Sequence, residues 1–204
     1  MRLKVTGLGL SLGGRRVLDG VDLALDAGVV ALRGDNGSGK TTLLNALAGL
    51  VSWDDGEIEI VGRSLARDRV ALRSVGWVPE RSDAPDALTG REVVELVAAL
   101  RSREAGEAEI DRFGLRDVYD VRRDAVSLGQ RRRADLLAAF VGSPPVLLLD
   151  EPTNGLDAAT TRWLAERLRA HADGGGLALV ATHDAAFVEA CADRSLRMRA
   201  GRVS

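Results

Sequence analysis

Residues 34–41 are Gly34-Asp35-Asn36-Gly37-Ser38-Gly39-Lys40-Thr41, which match the pattern G-x-x-x-x-G-K-[ST] at every required position. The apolar run Val29–Arg33 precedes this glycine-rich loop, and Thr41–Ala48 follows it with the composition of a helix. Strand, glycine-rich turn and helix in that order are the context in which the pattern binds phosphate. The stretch therefore predicts an α/β fold with a phosphate-binding P-loop. A chance glycine-rich loop is the alternative, and the flanking strand and helix disfavour it.

Each residue type in the glycine-rich loop has a chemical reason to be there. The three glycines allow backbone turns that place successive N–H groups around phosphate oxygens. Lys40 can reach the β- and γ-phosphates, the Thr41 hydroxyl can bind Mg²⁺, and the helix from Lys40 adds its positive end. The residues predicted to contact the bound nucleotide here are Gly34, Asp35, Asn36, Gly37, Ser38, Gly39, Lys40, Thr41 and Thr42.

Length and composition favour one folded domain. The chain has 204 residues, of which 46% are hydrophobic and 28% charged, so it has enough apolar material for a core and is not globally disordered. A net charge of −2 gives no sign of a general nucleic-acid or anionic-membrane binder. Only Lys4 and Lys40 are lysines among the 28 Lys and Arg residues, which makes Lys40 stand out.

The cysteine count and the hydropathy exclude several classes of protein. The single cysteine, Cys191, excludes a disulfide framework within the chain and a zinc site of several cysteines. The sequence has no apolar run near the roughly 20 residues that cross a bilayer, and its N-terminus does not resemble a signal peptide. We expect a cytoplasmic chain that is peripheral on the membrane if a partner holds it there.

Alternating strands and helices predict a mostly parallel sheet covered on both faces. Strands are predicted at Leu3–Leu8, Val21–Leu25, Val29–Arg33, Glu57–Val61, Ser74–Val78, Val146–Leu149, Leu177–Ala181 and near Leu196, with a hairpin-type turn at Asp54-Asp55-Gly56. Later helices are predicted at Ala158–Ala172 and Asp184–Cys191. The segment from about residue 83 to 142 is helical in pattern, at Arg91–Leu100, Glu107–Phe113 and Gly129–Val141. We interpret it as a helical subdomain inserted into a single domain, residues 1–204.

Two carboxylates follow the apolar strand Val146–Leu149. Asp150 suits a Mg²⁺-centred role, directly or through water, and Glu151 could orient or activate an attacking water. Both are expected at the carboxyl edge of the sheet, where open α/β sheets bind ligands. For this pair taken alone, a helix cap or a salt bridge is the alternative, and the upstream P-loop disfavours it.

Five motifs, in order and spacing, make the chain resemble the ATP-binding subunit of ABC transporters over essentially its whole length. They are the glycine-rich loop, Ser127-Leu128-Gly129-Gln130, Leu148-Leu149-Asp150-Glu151-Pro152-Thr153, Asn154-Gly155-Leu156-Asp157 and Thr182-His183. The resemblance implies a P-loop NTPase (RecA-like) fold. Its mostly parallel sheet would be joined by an N-terminal antiparallel β part, and the inserted helical subdomain would carry the signature segment, Val126–Gln130. It also implies an ATPase that uses ATP and Mg²⁺ to power a membrane transporter.

In that family two subunits sandwich two ATP molecules. By resemblance, Ser127, Gly129 and Gln130 would face the partner's nucleotide, and Asp157 would communicate across the dimer. An ordinary helix N-cap is the alternative for Ser127 and for Asp157. The implied catalytic residues are Lys40, Glu151 and His183, and the implied metal-binding residues are Thr41, Asp150 and Glu80.

Three positions depart from the family pattern. Glu80 stands where glutamine is usual, and a carboxylate there would bind Mg²⁺ more strongly but repel the γ-phosphate. Leu12 stands where an aromatic residue stacks on adenine, so we expect weaker discrimination between bases. Leu128 replaces the commonest glycine of the signature segment.

The resemblance implies two partners, a transmembrane permease subunit and a second nucleotide-binding subunit, and no nucleic acid is expected. The short helical insert fits a compact exporter-type subunit. One alternative is a non-transport ABC-type ATPase acting on nucleic acid or ribosomes, for which Arg131-Arg132-Arg133 is the only sharp basic run. The other is a degenerate regulatory half of a heterodimeric transporter, suggested by Glu80 and Leu12.

Overall fold

The computed structural model describes residues 1–104 and 106–204, apart from the side chains of Glu107 and Ala108. The strands of this part are β1 (Leu3–Leu12), β2 (Arg15–Leu25), β3 (Gly28–Arg33), β4 (Asp55–Ile60), β5 (Arg63–Ser64), β6 (Val75–Val78), β7 (Val146–Asp150), β8 (Leu177–Ala181), β9 (Arg194–Arg199) and β10 (Arg202–Val203). The α-helices are α1 (Lys40–Leu47), α2 (Gly90–Leu100), α3 (Glu107–Arg112), α4 (Leu128–Phe140), α5 (Ala158–Asp173) and α6 (Ala185–Cys191), and short 3₁₀ helices span Arg69–Ser74 and Arg123–Ala125.

The larger sheet has the strand order β10-β9-β3-β8-β7-β6. Every neighbouring pair is parallel except β9 and β10, as predicted for a mostly parallel sheet. Strands β7 and β8 are buried at every position, as expected of strands covered on both faces. Ala181 is in register with Leu32 on one side and Asp150 on the other. The segments that follow β3, β7 and β8 therefore leave the sheet side by side.

The smaller sheet is antiparallel, in the order β2-β1-β4-β5, which confirms the expected N-terminal β part. The predicted strand Val21–Leu25 is only the second half of β2. Strands β1 and β2 form a hairpin whose turn residues, Gly13 and Gly14, have φ of 56° and 79°. A two-residue turn with two positive φ angles matches the twist of a hairpin and favours glycine. The pair Gly13-Gly14 was thus the missed signal.

The hairpin-type turn predicted at Asp54-Asp55-Gly56 is wrong. Asp55 and Gly56 begin strand β4, and Asp55 pairs with Gly9 of β1 across an irregularity in the ladder. Gly56 has φ of 90°, and a Cβ there would lie 2.5 Å from the carbonyl oxygens of Thr6 and Gly7. The glycine is therefore explained by close backbone approach at a bulge rather than by a chain reversal.

The large sheet separates two hydrophobic cores. Alternate residues of β7 point to opposite sides: Leu148 packs with α1 and the antiparallel sheet, and Leu149 packs with α4, α5 and α6. Helix α2 packs mainly on α4, and α4 also contacts β6. The predicted helical segment thus contains α2, α3 and α4 and shares a core with the sheet, and its treatment as a subdomain stays a prediction. In the described residues, helices long and apolar enough to cross a bilayer are absent.

Candidate active site

A cavity of about 670 Å³ lies at the carboxyl ends of β3, β7 and β8. Its lining residues are Leu12, Val17, Asn36, Gly37, Gly39, Lys40, Thr41, Thr42, Glu80, Asp150, Glu151, Asn154 and His183. All except Val17 and Asn154 are residues that the sequence predicts for the site. The structure therefore brings residues from distant parts of the chain to one place, because β3, β7 and β8 are neighbours in the sheet.

Glycines of the loop meet two different requirements. Gly37 and Gly39 have φ of 76° and 109°, which side chains disfavour. Gly34 is required by space, because a Cβ there would lie 2.2 Å from the carbonyl oxygen of Met198 in β9. Gly34 thus allows the loop to pack closely against β9, and Gly39 allows the backbone to turn where α1 begins.

Lys40 is almost fully buried at the start of α1. Its Nζ donates hydrogen bonds to the carbonyl oxygens of Gly34 (2.7 Å) and Asp35 (3.2 Å). Nζ also lies 3.3 Å from Nε2 of His183, on the loop after β8. The loop carbonyls thus hold a compact positive charge at the cavity wall.

Asp150, the last residue of β7, is 2% exposed. Burial raises the pKa of its carboxyl group, and so do the carboxylates of Glu80 and Glu151, while Thr41 and Lys40 act in the opposite direction. Within the described residues, Asp150 Oδ2 has no hydrogen-bond partner. A buried carboxylate oxygen without a partner is costly unless something binds it.

This arrangement fits a hard divalent cation such as Mg²⁺, which prefers oxygen ligands. The oxygen atoms nearby include those of Asp150, the Thr41 hydroxyl and the exposed carboxylate of Glu80. In the described part of the chain, groups of three or more His, Cys, Asp or Glu that could hold a metal are absent. Mg²⁺ commonly uses one or two carboxylates together with water and phosphate oxygens, so a Mg²⁺ site at Asp150 does not require three such side chains.

Glu151 has a φ of 44°, in the left-handed region. For a non-glycine residue this costs about 1–2 kcal/mol, and such strain concentrates at functional sites. Glu151 Oε2 accepts hydrogen bonds from Thr182 Oγ1 (3.0 Å) and from the backbone N–H of His183 (3.3 Å). Oε1 lies 3.6 Å from His183 Nε2. From the sequence, Thr182 is only a member of the Thr182-His183 motif, and its hydrogen bond to Glu151 is not predicted.

The cavity also has an aliphatic part. Leu12, at the end of β1, is 49% exposed, and Val17, near the start of β2, is half-buried. Both line the cavity, and the Gly13-Gly14 hairpin turn separates their strands. Two aliphatic side chains give this wall surface for dispersion contacts and no ring for stacking.

The signature segment lies outside this cavity, at the N-terminus of α4. Ser127 Oγ accepts a hydrogen bond from Gln130 N (3.2 Å), and Gln130 Oε1 accepts one from Ser127 N (2.8 Å). This reciprocal pair is a capping box. Gly129 lies between them, and Leu128 is 69% exposed. Within this chain the N-cap interpretation describes Ser127, and contact with a partner's nucleotide stays a prediction for Ser127, Gly129 and Gln130.

Asp157 also caps a helix. Its Oδ1 accepts a hydrogen bond from Thr160 N at 2.7 Å, and this bond lowers the pKa of the Asp157 carboxyl group. Three loop residues do not line the cavity described above: Ser38 is buried, and Gly34 and Asp35 line a separate cavity of about 500 Å³ that shares His183 with it. Their predicted contacts with nucleotide stay predictions.

Comparison with known proteins decides the family. The profile of the family described as ABC transporter matches residues 18–154. The chain belongs to the ABC transporter family. The cytochrome c biogenesis ATP-binding export protein CcmA of Pseudomonas putida (strain GB-1) is 37% identical over 188 residues, covering 90% of each chain. The daunorubicin resistance ATP-binding protein DrrA3 of Streptomyces coeruleorubidus is 34% identical over 209 residues, covering 98% of this chain and 66% of that protein.

Solved structures of ABC proteins share the fold. An ATP-binding subunit of an ABC transporter superposes with a TM-score of 0.90 and 29% identity, covering 100% of this chain and 88% of that one. A dimeric ATP-binding cassette in a post-hydrolysis state superposes with a TM-score of 0.86 and 24% identity, covering 99% and 96%. The predicted family and P-loop NTPase fold are confirmed. ABC membership likewise supports the predicted function, an ATP-binding, ATP-hydrolysing transporter subunit.

Proposed function

We propose that this chain is the cytoplasmic, membrane-peripheral subunit of an ABC exporter and hydrolyses ATP with Mg²⁺ in the cavity at the carboxyl edge of the sheet. One observation carries the proposal: Lys40 and Glu151 both approach His183 Nε2, in the cavity where Asp150 keeps an unsatisfied oxygen. Glycines of the phosphate-binding loop line the same cavity, as binding of a nucleotide phosphate requires.

Binding would use groups that are already oriented. The N–H groups of the glycine-rich loop and the positive end of α1 favour phosphate oxygens. Lys40 would exchange its contacts with the carbonyls of Gly34 and Asp35 for contacts with phosphate, which carries a full negative charge. Thr41 and Asp150 would hold Mg²⁺, with Glu80 beside them, and the cation would neutralise phosphate charge.

Glu151 is the proposed general base. A base must reach the proton that it accepts, and two donors orient the Glu151 carboxylate: the Thr182 hydroxyl and the backbone N–H of His183. Glu151 would take a proton from the attacking water, while Lys40 and His183 stabilise the charge on the transferred phosphoryl group. Leu12 and Val17 would contact the base of the nucleotide.

A second subunit would complete the site. Ser127, Gly129, Gln130 and Asp157 lie at the N-termini of α4 and α5, where helix ends favour anionic groups. We place them against the nucleotide of a second copy or of a related chain, with a transmembrane permease as the further partner. Relatives described as an export protein and as a drug-resistance protein support export as the direction.

The basic run Arg131-Arg132-Arg133 favours the transporter over a nucleic-acid-binding ATPase, because all three side chains contact this chain itself. Arg131 pairs with Asp86 at 2.9 Å, Arg132 is buried, and Arg133 donates to the carbonyl oxygen of Gly114 at 3.1 Å. Side chains that bond their own chain in this way act as structural residues rather than as a free basic patch.

The two lysines provide a matched test. The full chain, purified with its membrane partner, is assayed for ATP hydrolysis as wild type, Lys40→Ala and Lys4→Ala. Lys40→Ala should lose about 100-fold or more in turnover, because transition-state charge loses a buried cation. Lys4→Ala should match wild type, since Lys4 only pairs with Glu59 at the surface. Unchanged hydrolysis in Lys40→Ala, or purification with nucleic acid and no membrane protein, would contradict the proposal.

A further inference from the structure

A buried arginine on α4 donates hydrogen bonds to four backbone carbonyls around the cavity. Arg132 is 4% exposed. Its Nη2 donates to the carbonyl oxygens of Asp150 (2.7 Å) and Glu151 (2.6 Å), and its Nε donates to that of Pro152 (3.2 Å). Its Nη1 donates to the carbonyl oxygen of Pro79. One guanidinium thus joins the turn after β7 to the residue before Glu80.

The carbonyls that Arg132 holds belong to a strained turn. Glu151 adopts the left-handed conformation, which a side chain disfavours, so neighbouring groups have to keep it there. The planar fork of arginine presents five N–H donors in fixed directions and can serve several carbonyls at once. Lysine has a single nitrogen and cannot reach carbonyls on both sides of the turn. Besides the backbone hydrogen bonds of Glu151 N to Ala181 O and of Asn154 N to Glu151 O, the turn is thus held by a side chain from the helix that carries the signature segment.

A second arginine provides a natural comparison at the far end of α4. Arg101, at the end of α2, is also largely buried, and burial lowers its pKa to about 10. Its Nη1 donates to the carbonyl oxygens of Ala138, Ala139 and Val141, and its Nη2 donates to that of Val75 at 2.8 Å. Arg101 and Arg132 therefore each donate hydrogen bonds to four backbone carbonyls, and of the two only Arg132 bonds residues of the active-site cavity.

We propose that Arg132 is a positioning residue for ATP hydrolysis, which fixes the backbone of Glu151 so that its carboxylate stays on Thr182 and His183. Arg132 itself does not line the cavity, so it acts through Glu151 and, by way of Pro79, on the placement of Glu80. The inference rests on the proposed role of Glu151 as general base. A misplacement of about 1 Å in a reacting group can cost roughly 100-fold in rate, so loss of this arginine should affect turnover far more than binding.

The test compares Arg132→Lys and Arg132→Gln with Arg101→Lys and Arg101→Gln in the full chain, purified with its membrane partner. Each variant is measured for thermal unfolding, for Mg²⁺–ATP affinity and for kcat and KM, with Glu151→Gln alongside. Both Arg132 variants should lower kcat about tenfold or more with KM nearly unchanged. Both Arg101 variants should lower the unfolding temperature and keep kcat within about twofold when assayed well below it.

Each other outcome overturns the inference. It fails if Arg132→Gln folds and keeps wild-type kcat, or if Arg101→Gln loses kcat to the same extent. It also fails if neither Arg132 variant folds while both Arg101 variants do, because the residue is then a structural one. A loss of turnover in Glu151→Gln with none in the Arg132 variants rejects this inference and leaves the proposed function intact. Full turnover in Glu151→Gln rejects both.

Discussion

The Nζ of Lys40 lies 3.3 Å from Nε2 of His183, and the same Nε2 lies 3.6 Å from Oε1 of Glu151. His183 thus sits between the cation expected on phosphate and the carboxylate expected on water. These three residues come from the start of α1, the turn after β7 and the loop after β8, which shows how the sheet assembles the site.

The aliphatic wall of the cavity predicts weak selection between bases. Leu12→Tyr should raise the preference for ATP over GTP by roughly two- to tenfold, since an aromatic contact contributes about 0.5–1.5 kcal/mol. Competition between equal concentrations of ATP and GTP measures the change. Leu50→Tyr is the matched control, because Leu50 is 61% exposed and is not among the cavity residues. A strong preference for ATP in the wild-type chain would contradict the expectation.

Because Asp150 is buried, its ionised carboxylate is expected to lower the stability of the folded chain while it serves ATP hydrolysis. Its pKa is raised by burial first, so the ionised form destabilises the folded state as pH rises through the interval between the ordinary Asp pKa and the raised one. Asp150→Asn should therefore increase the free energy of unfolding at pH 7 and lose that advantage at acidic pH, while ATP hydrolysis is lost. Denaturant unfolding at several pH values measures this.

Asp19 provides the control of opposite sign. A hydrogen bond from Arg202 lowers the pKa of Asp19, so its ionised form stabilises the folded state above the ordinary Asp pKa. Asp19→Asn should therefore decrease stability at pH 7, and the difference should vanish as pH falls through the lowered pKa. If Asp150→Asn and Asp19→Asn shift stability in the same direction at neutral pH, the electrostatic explanation is wrong.

Glu80 adds a negative charge beside Asp150 and raises its pKa. Glu80→Gln should raise the Mg²⁺ concentration for half-maximal hydrolysis and strengthen binding of metal-free ATP, each by roughly fivefold, since removing one exposed charge is worth on the order of 1 kcal/mol. Titrating hydrolysis with Mg²⁺ and binding with ATP in chelator checks both. Arg81→Gln, on the exposed neighbour of Glu80, is the control. Equal Mg²⁺ dependence in wild type and Glu80→Gln would exclude Glu80 as a metal neighbour.

The active-site loop was predictable because its chemistry is local. Residues 34–41 carry the glycines, the lysine and the hydroxyl in one short stretch, and β3 and α1 form where the sequence places them. Asp150 and Glu151 were predictable because the apolar run before them forces a buried strand to end there. In each case a short stretch of sequence predicts both the secondary-structure element and the functional side chain at its end.

The remaining features depend on contacts between distant residues. The bond of Thr182 to Glu151 arises because β7 and β8 are neighbours, and no local pattern indicates it. Gly56 looked like a turn residue, yet it serves the close approach of β4 to β1, which only the sheet reveals. The sequence shows Arg132 only as part of a basic run on a helix, and its burial against the turn after β7 is visible only in the structure.

Turnover of Glu151→Gln tests the central claim most directly. The substitution keeps the size of the side chain and its acceptor oxygen for Thr182, and it removes the ability to take a proton from water. ATP hydrolysis and Mg²⁺–ATP affinity are measured on the same preparation, with Glu189→Gln on the exposed side of α6 as control. We predict that hydrolysis falls by roughly 100- to 10,000-fold with affinity preserved, while the control matches wild type. Hydrolysis by Glu151→Gln at the wild-type rate would contradict the account.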